Sequence, residues 1–254
     1  MIIRILSILR SYEIMKARCL FLFLFLSSVV FAQTANFASD RPGLSNVPDL
    51  IEKKSWQIAT GFDISKYNHS GNYQPSENTL KYGISKRFEA RLDFGMQYNH
   101  SAKIYGASGP SFGMKALLFN QHKAFPKTAL IIEYYPPPFS TTQQFSGLAT
   151  EFCFSHTFKN GNNLYYNGGA NWQDIYQTAI LNSLIGFSCV ANAKLNSFIE
   201  FYLYKAPLMQ INYVSDIGIT YQLNKQLQID FSAGLNVVQP QGNYYYSGGF
   251  TYNF

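Results

Sequence analysis

From Trp56 to Phe254 the chain reads as twelve short segments in which apolar and polar side chains alternate. In the clearest, Phe88, Ala90, Leu92, Phe94, Met96 and Tyr98 fall on one face and Glu89, Arg91, Asp93, Gly95 and Gln97 on the other. Another sets Leu227, Ile229, Phe231, Ala233, Leu235 and Val237 against Gln228, Asp230, Ser232, Gly234 and Asn236. A side-chain period of two is that of a β-strand with one oily and one wet face. The expected strands are Trp56 to Tyr67, Asn78 to Ser85, Phe88 to Tyr98, Ser111 to Phe119, Thr128 to Tyr135, Gly147 to Phe158, Leu164 to Trp172, Ile180 to Val190, Leu195 to Tyr204, Gln210 to Leu223, Leu227 to Val237 and Asn243 to Phe254. Segments of about ten residues match a tilted strand crossing a bilayer.

The connections alternate in length. Short turns are expected at Ser85-Lys86-Arg87, Lys159 to Asn162, Ala191 to Ala193 and Asn224 to Gln226, with an intermediate link at Asn120 to Lys127. Asn160-Gly161 is a tight hairpin signal. Longer polar loops are expected at Asn68 to Glu77, Asn99 to Pro110, Pro136 to Ser146, Gln173 to Thr178, Lys205 to Met209 and Val238 to Gly242. Short turns on one side and longer loops on the other imply an all-β, antiparallel transmembrane barrel of about twelve strands, with both termini periplasmic. Aromatics sort to two heights, Trp56, Phe88, Phe158, Tyr221, Tyr252 and Phe254 near the short turns and Tyr67, Tyr98, Tyr134, Trp172, Tyr213 and Tyr244 near the loops, as two interfacial girdles would. A soluble β-sandwich leaves the long run of oily faces unexplained.

Ahead of the barrel, Lys16 and Arg18 precede the apolar run Cys19 to Leu26, and Val30 and Ala32 give a small-residue cleavage pattern before Gln33. Residues 1–32 are therefore read as a signal peptide, 33–55 as a periplasmic or lumen-plugging segment and 56–254 as the barrel. Removing four basic and one acidic residue with the signal leaves sixteen Lys and Arg against thirteen Asp and Glu. That balance gives no reason to expect a nucleic-acid partner. Cys153 and Cys189 fall on opposite faces of different strands, which argues against a disulfide.

The wet face carries Asp63, Lys81, Glu89, Arg91, Asp93, Lys115, Glu133, Glu151, Glu200, Asp216 and Asp230. Charges inside a barrel must be hydrated or paired, so this set is either a packed ion-pair network or a cation-leaning channel lining. It has eight carboxylates and only three bases, and Asp40 and Arg41 lie in the unpatterned segment before the barrel. If that segment enters the lumen, Arg41 is expected on an inward carboxylate such as Glu89, Asp93, Glu200 or Asp230. The four histidines, His69, His100, His122 and His156, show no Ser or Asp partner at a shared depth and no metal-ligand spacing. No catalytic residue, metal or cofactor is expected.

The chain stops on Tyr252-Asn253-Phe254, which resembles the terminal signature that barrel-assembly machinery reads in Gram-negative outer-membrane proteins. Ser39-Asp40-Arg41-Pro42-Gly43, Pro48-Asp49, Trp56 to Phe62, Leu80 to Leu92, Gly113 to Leu118, Phe198-Ile199-Glu200 and Asp216 to Tyr221 together resemble the bacterial outer-membrane transporter family labelled for the meta-pathway of phenol degradation. That resemblance implies an outer-membrane barrel, embedded in lipid, for passive passage of small solutes, aromatic ones among them. The alternatives are a structural or surface-interaction barrel with a plugged lumen, and an outer-membrane hydrolase.

Overall fold

The computed structural model describes residues 37, 39–41, 43–67, 70–99, 103–137, 146–174, 178–238 and 243–254. The expected signal peptide lies outside them, as do His69 and His100. Twelve antiparallel strands close into one barrel, each paired with its neighbours in sequence and β1 with β12. They are β1 Trp56–Tyr67, β2 Ser70–Gly83, β3 Phe88–Asn99, β4 Ile104–Phe119, β5 Lys127–Tyr135, β6 Gly147–Thr157, β7 Asn163–Trp172, β8 Ile180–Val190, β9 Leu195–Lys205, β10 Asn212–Gln222, β11 Leu227–Asn236 and β12 Tyr244–Asn253. Closure runs from Gln57 opposite Asn253 to Lys66 opposite Tyr244, so no free sheet edge remains. Phe254 N donates to Trp56 O at 2.9 Å, which puts the start and the end of the barrel at the same rim.

Two expected loops are largely strand. β2 begins at Ser70 rather than Asn78, and β4 at Ile104 rather than Ser111. The pairing register shifts between Gly61 and Asp63, between Tyr73 and Ser76, and between Asp93 and Gly95. A bulge sets two residues against one and breaks the period-two pattern. Pro75, Gly106, Gly109 and Pro110 also make these stretches read as loop.

The short turns are tied by their own side chains. Ser85 Oγ accepts from Arg87 N and Phe88 N, Asn192 Oδ1 from Lys194 N and Leu195 N, and Asn224 Oδ1 from Gln226 N and Leu227 N. The outer wall is apolar and exposed, with Phe94, Met96, Phe112, Ile132, Phe152, Ile185, Phe201, Ile217, Ile219, Phe231 and Phe250 among its residues. The polar residues are inside: Lys81, Glu89, Lys115 and Glu200 are among the most deeply buried side chains of the chain. A fold that buries its charge and exposes its hydrocarbon is built for a lipid surround. Among the described residues no helix is long and apolar enough to cross a membrane.

Candidate functional site: the lumen and the loop inside it

Period-two alternation aims one residue in two at the barrel axis, and the stretch 39–51 runs through that space. It enters from the short-turn rim below Trp56, where Lys54 N donates to Gly83 O at 2.7 Å. It passes Glu89, which accepts from Ile51 N at 2.9 Å, and Lys127, which reaches Asp49 Oδ1 at 2.6 Å. Deeper, Asn167 Nδ2 donates to Asn46 O at 2.7 Å, and Asn46 Nδ2 to Glu151 at 2.5 Å. At the turn, Glu200 accepts from Leu44 N at 2.7 Å and from Ser45 Oγ at 2.6 Å. Gly43 makes the reversal with φ 94°, and a Cβ there would press on the Glu200 carboxylate at 2.8 Å. The chain then returns toward the rim it came from, where Ser39 Oγ lies 2.8 Å from Thr251 Oγ1.

The two charges of this loop face adjacent arcs of the wall, which meet at β2. Asp40 receives Lys81 Nζ at 2.5 Å, Lys115 Nζ at 3.0 Å and Arg91 Nη2 at 3.2 Å, from the adjacent strands β2, β4 and β3. Burial by itself would raise the Asp40 pKa, but Lys115, Lys81 and Arg91 hold its carboxyl well below the usual carboxylate range. Arg41 reaches the neighbouring arc of β11, β12 and β2, with Nη2 2.9 Å from Ser247 Oγ and 3.4 Å from Asp230 Oδ1, and Nη1 3.2 Å from Glu77. Its guanidinium lies in a slot floored by two glycines, since a Cβ on Gly61 would overlap Arg41 Nη2 and one on Gly249 would stand 2.9 Å from Arg41 Nε.

Asp40, Arg41 and Ser45 line two cavities at once. The loop is therefore a partition across the lumen. On its loop-end side is a cavity of about 410 Å³ that also touches Glu77, Asp93, Arg91, Glu133 and Tyr135. A cavity of about 230 Å³ adjoins it, bounded by Leu44, Ile131, Glu151 and Tyr202. On the short-turn side is one of about 180 Å³, lined by Phe37, Asp49, Asn163, Asn196, Thr220 and Gln228.

The structure brings most of the sequence-derived set into this network. Lys81, Arg91 and Lys115 surround Asp40, and Glu133 accepts from Tyr135 Oη at 2.8 Å and stands 3.8 Å from Arg91. Asp93 is held by Thr79 and Ser111. Asp216 accepts from Tyr245 Oη at 2.5 Å, and Asp63 lies opposite Ser247 across the β1–β12 seam. Of the four acids expected as partners for Arg41, only Asp230 is one. Glu89 and Glu200 are taken by backbone N–H groups of the loop, and Asp93 by hydroxyls. The other Arg41 partner, Glu77, falls in a stretch that reads as loop, and Lys127 in one that reads as a turn. Tyr252 and Phe254 are apart from the lumen, on the outer face, with ring centroids 4.9 Å apart in an edge-to-face pair.

With Asp40, Asp49, Glu77, Arg41 and Lys127 included, the lumen holds eleven carboxylates against five cationic side chains, all of them among the described residues. Among the described residues no cluster of three or more His, Cys, Asp or Glu could hold a metal ion. His156 is on the outer face against Tyr166, with ring centroids 6.3 Å apart, and His122 is in the β4–β5 connection. Neither can serve as a base in the lumen.

The chain shares its fold with solved outer-membrane barrels. An outer membrane channel from Pseudomonas putida F1 superposes with a TM-score of 0.64 at 8% identity, covering 84% of this chain and 100% of that one. KdgM porin, solved in complex with disordered oligogalacturonate, gives a TM-score of 0.58 at 7% identity, covering 78% of this chain and 99% of that one. At such identities the likeness is one of architecture. No protein-family model and no curated protein matches the chain.

Proposed function

We propose that this protein is an outer-membrane channel for small polar solutes, held closed at rest by residues 39–51. The observation that carries the reading is the partition: one loop separates cavities that open toward opposite rims, and it is held by side chains rather than woven into the wall. A barrel whose only task was structural has no need of a polar lumen with about 410 Å³ of space above its plug. The excess of carboxylates makes the route cation-leaning. In this reading the short-turn rim, with both ends of the barrel, faces the periplasm, as short turns do in such barrels. Every short turn there carries an exposed base: Lys86 and Arg87, Lys123, Lys159, Lys194 and Lys225. Residues 1–32 would direct export and be removed, and Phe254 would serve as the assembly signal.

Aromatic solutes, which the motif resemblance implies, have one feature in their favour, the cavity bounded by Leu44, Ile131, Tyr135 and Tyr202. The second reading is a permanently plugged barrel, favoured by the ion pairs that hold Asp40. Swelling of liposomes that contain the Asp40→Asn/Arg41→Gln variant, whose loop has lost its ion pairs, decides between the two. Entry of a small neutral solute supports the channel, and an impermeable, correctly folded barrel supports the plugged form.

A further inference from the structure

Charge is not spread evenly around the lumen. All four cationic side chains supplied by the wall, Lys81, Arg91, Lys115 and Lys127, come from β2 to β5. The strands from β6 round to β1 contribute Glu151, Glu200, Asp216, Asp230 and Asp63 and no inward cation among the described residues. The strands β2 to β5 also carry Glu77, Glu89, Asp93 and Glu133, so the lumen has one arc where bases and acids mix, with Lys81, Arg91 and Lys115 gathered in it, and a remaining arc that is acidic only. The loop answers both with two consecutive residues. The Asp40 carboxylate fills the Lys81, Arg91 and Lys115 patch, and the Arg41 guanidinium reaches Asp230 on the acidic side. An acid on three bases and, next to it in the chain, a base on two acids, Glu77 and Asp230, act as a built-in occupant of a site with a cationic and an anionic half.

We infer that the lumen selects small zwitterionic solutes, those that carry a carboxylate and an ammonium or guanidinium group a few bonds apart, and that Asp40-Arg41 occupies their site in the closed state. This rests on the channel reading above and names its solute class. The physical reason is desolvation. With Asp40 withdrawn, Arg91 is left with Glu133 at 3.8 Å and Lys115 with Glu89 at 4.0 Å, and buried cations so weakly paired, like Asp230 without a cation, are strongly unfavourable in a poorly hydrated site. When the loop withdraws, a solute with both charges restores both sets of contacts at once. A neutral solute of the same size restores neither, and a simple cation or anion restores one. The site also has room for a ligand on the loop-end side, since the cavity of about 410 Å³ is lined by Asp40, Arg41, Lys81, Arg91 and Glu77 together.

The test compares the full-length wild type with the Asp40→Asn/Arg41→Gln double variant in proteoliposomes, using isotonic L-alanine or lactamide. The two solutes have nearly the same skeleton and no net charge, but only alanine is a zwitterion. Heat-modifiability on gels checks that each barrel is folded. The inference expects the double variant to admit alanine several-fold faster than lactamide, and the wild type to admit alanine more slowly than the double variant. Equal rates for the two solutes, or faster lactamide, overturn the zwitterion assignment and leave the channel standing. No entry of either solute in either protein overturns the channel reading and the inference together. If the double variant does not fold, the same comparison is read from the single Arg41→Gln protein.

Discussion

Lys115 holds Asp40 through both carboxylate oxygens, at 3.0 and 3.4 Å. The same ammonium donates to the Val47 carbonyl at 2.9 Å and reaches that of Asp49 at 3.4 Å. One wall residue thus fastens the two limbs of the lumen loop to each other and to β4. Asp40 in turn is shared with Lys81 and Arg91, so the hub of the network is the loop's acid rather than any one base. Removing the shared partner of buried charges costs on the order of 3–5 kcal/mol. Asp40→Ala should therefore lower stability by about that amount, and Lys115→Met by less, because Lys81 and Arg91 still hold the carboxylate. Urea unfolding of both variants in detergent micelles checks the order. Equal losses would mean that Asp40 is not the hub.

The depressed pKa of Asp40 sets how the latch responds to acid. A carboxyl with a lowered folded pKa adds stability that is fully present above its unfolded value, here 3.8. That contribution is lost as pH falls from there toward the folded value. The difference in melting temperature between wild type and Asp40→Asn should stay constant from about pH 7 to about pH 5 and narrow only below the ordinary carboxylate range. A gap that closes between those two pH values would show that Asp40 is not held ionised by its three bases.

The guanidinium slot gives a steric prediction. Gly61 and Gly249 leave Arg41 its place beside Ser247, and a Cβ on Gly61 would overlap Arg41 Nη2 and stand 2.6 Å from Gly248 O. Gly61→Ala should displace Arg41 and expose the loop to added protease. Protease resistance equal to wild type would show that the slot does not position the arginine.

Facing along the strands is open to the same kind of check. Leu92 points to the outer wall and Arg91 and Asp93, on either side, to the lumen. Leu92→Arg should cost about 2–4 kcal/mol if it lies near the bilayer midplane, whereas Thr220→Ser, on the wet face of β10, should be close to neutral. Refolding titrations into lipid vesicles measure both, and equal effects would contradict the assigned parity.

Alternation alone located the strands where nothing interrupts it. β1 and β8 have the bounds that the sequence pattern predicts, and β3, β5, β6, β7, β9 and β11 differ by one residue at one end. It failed at the loop ends of β2 and β4, because bulges reset which residues face inward and Pro75, Gly109 and Pro110 resemble loop chemistry. The same failure hid Glu77. The charged inner face was legible as a set, since parity puts Glu200 and Asp230 inside. Their partners were not, because the loop binds Glu89 and Glu200 through backbone N–H groups of Ile51 and Leu44, and a backbone donor leaves no mark in a sequence. Asp40 and Arg41 stood out only as charges in a segment without a pattern. That they take separate partners, Asp40 the bases of β2 to β4 and Arg41 the acids of β2 and β11, follows from the fold.

In the proposed channel, residues 39–51 close an otherwise open route. Single-channel recording in planar bilayers tests it directly, with wild type and the Asp40→Asn/Arg41→Gln variant compared in the same salt. The variant should conduct steadily with a preference for cations, and the wild type should show rare or much smaller openings. Equal conductance in the two proteins, or a folded variant that never opens, would contradict it.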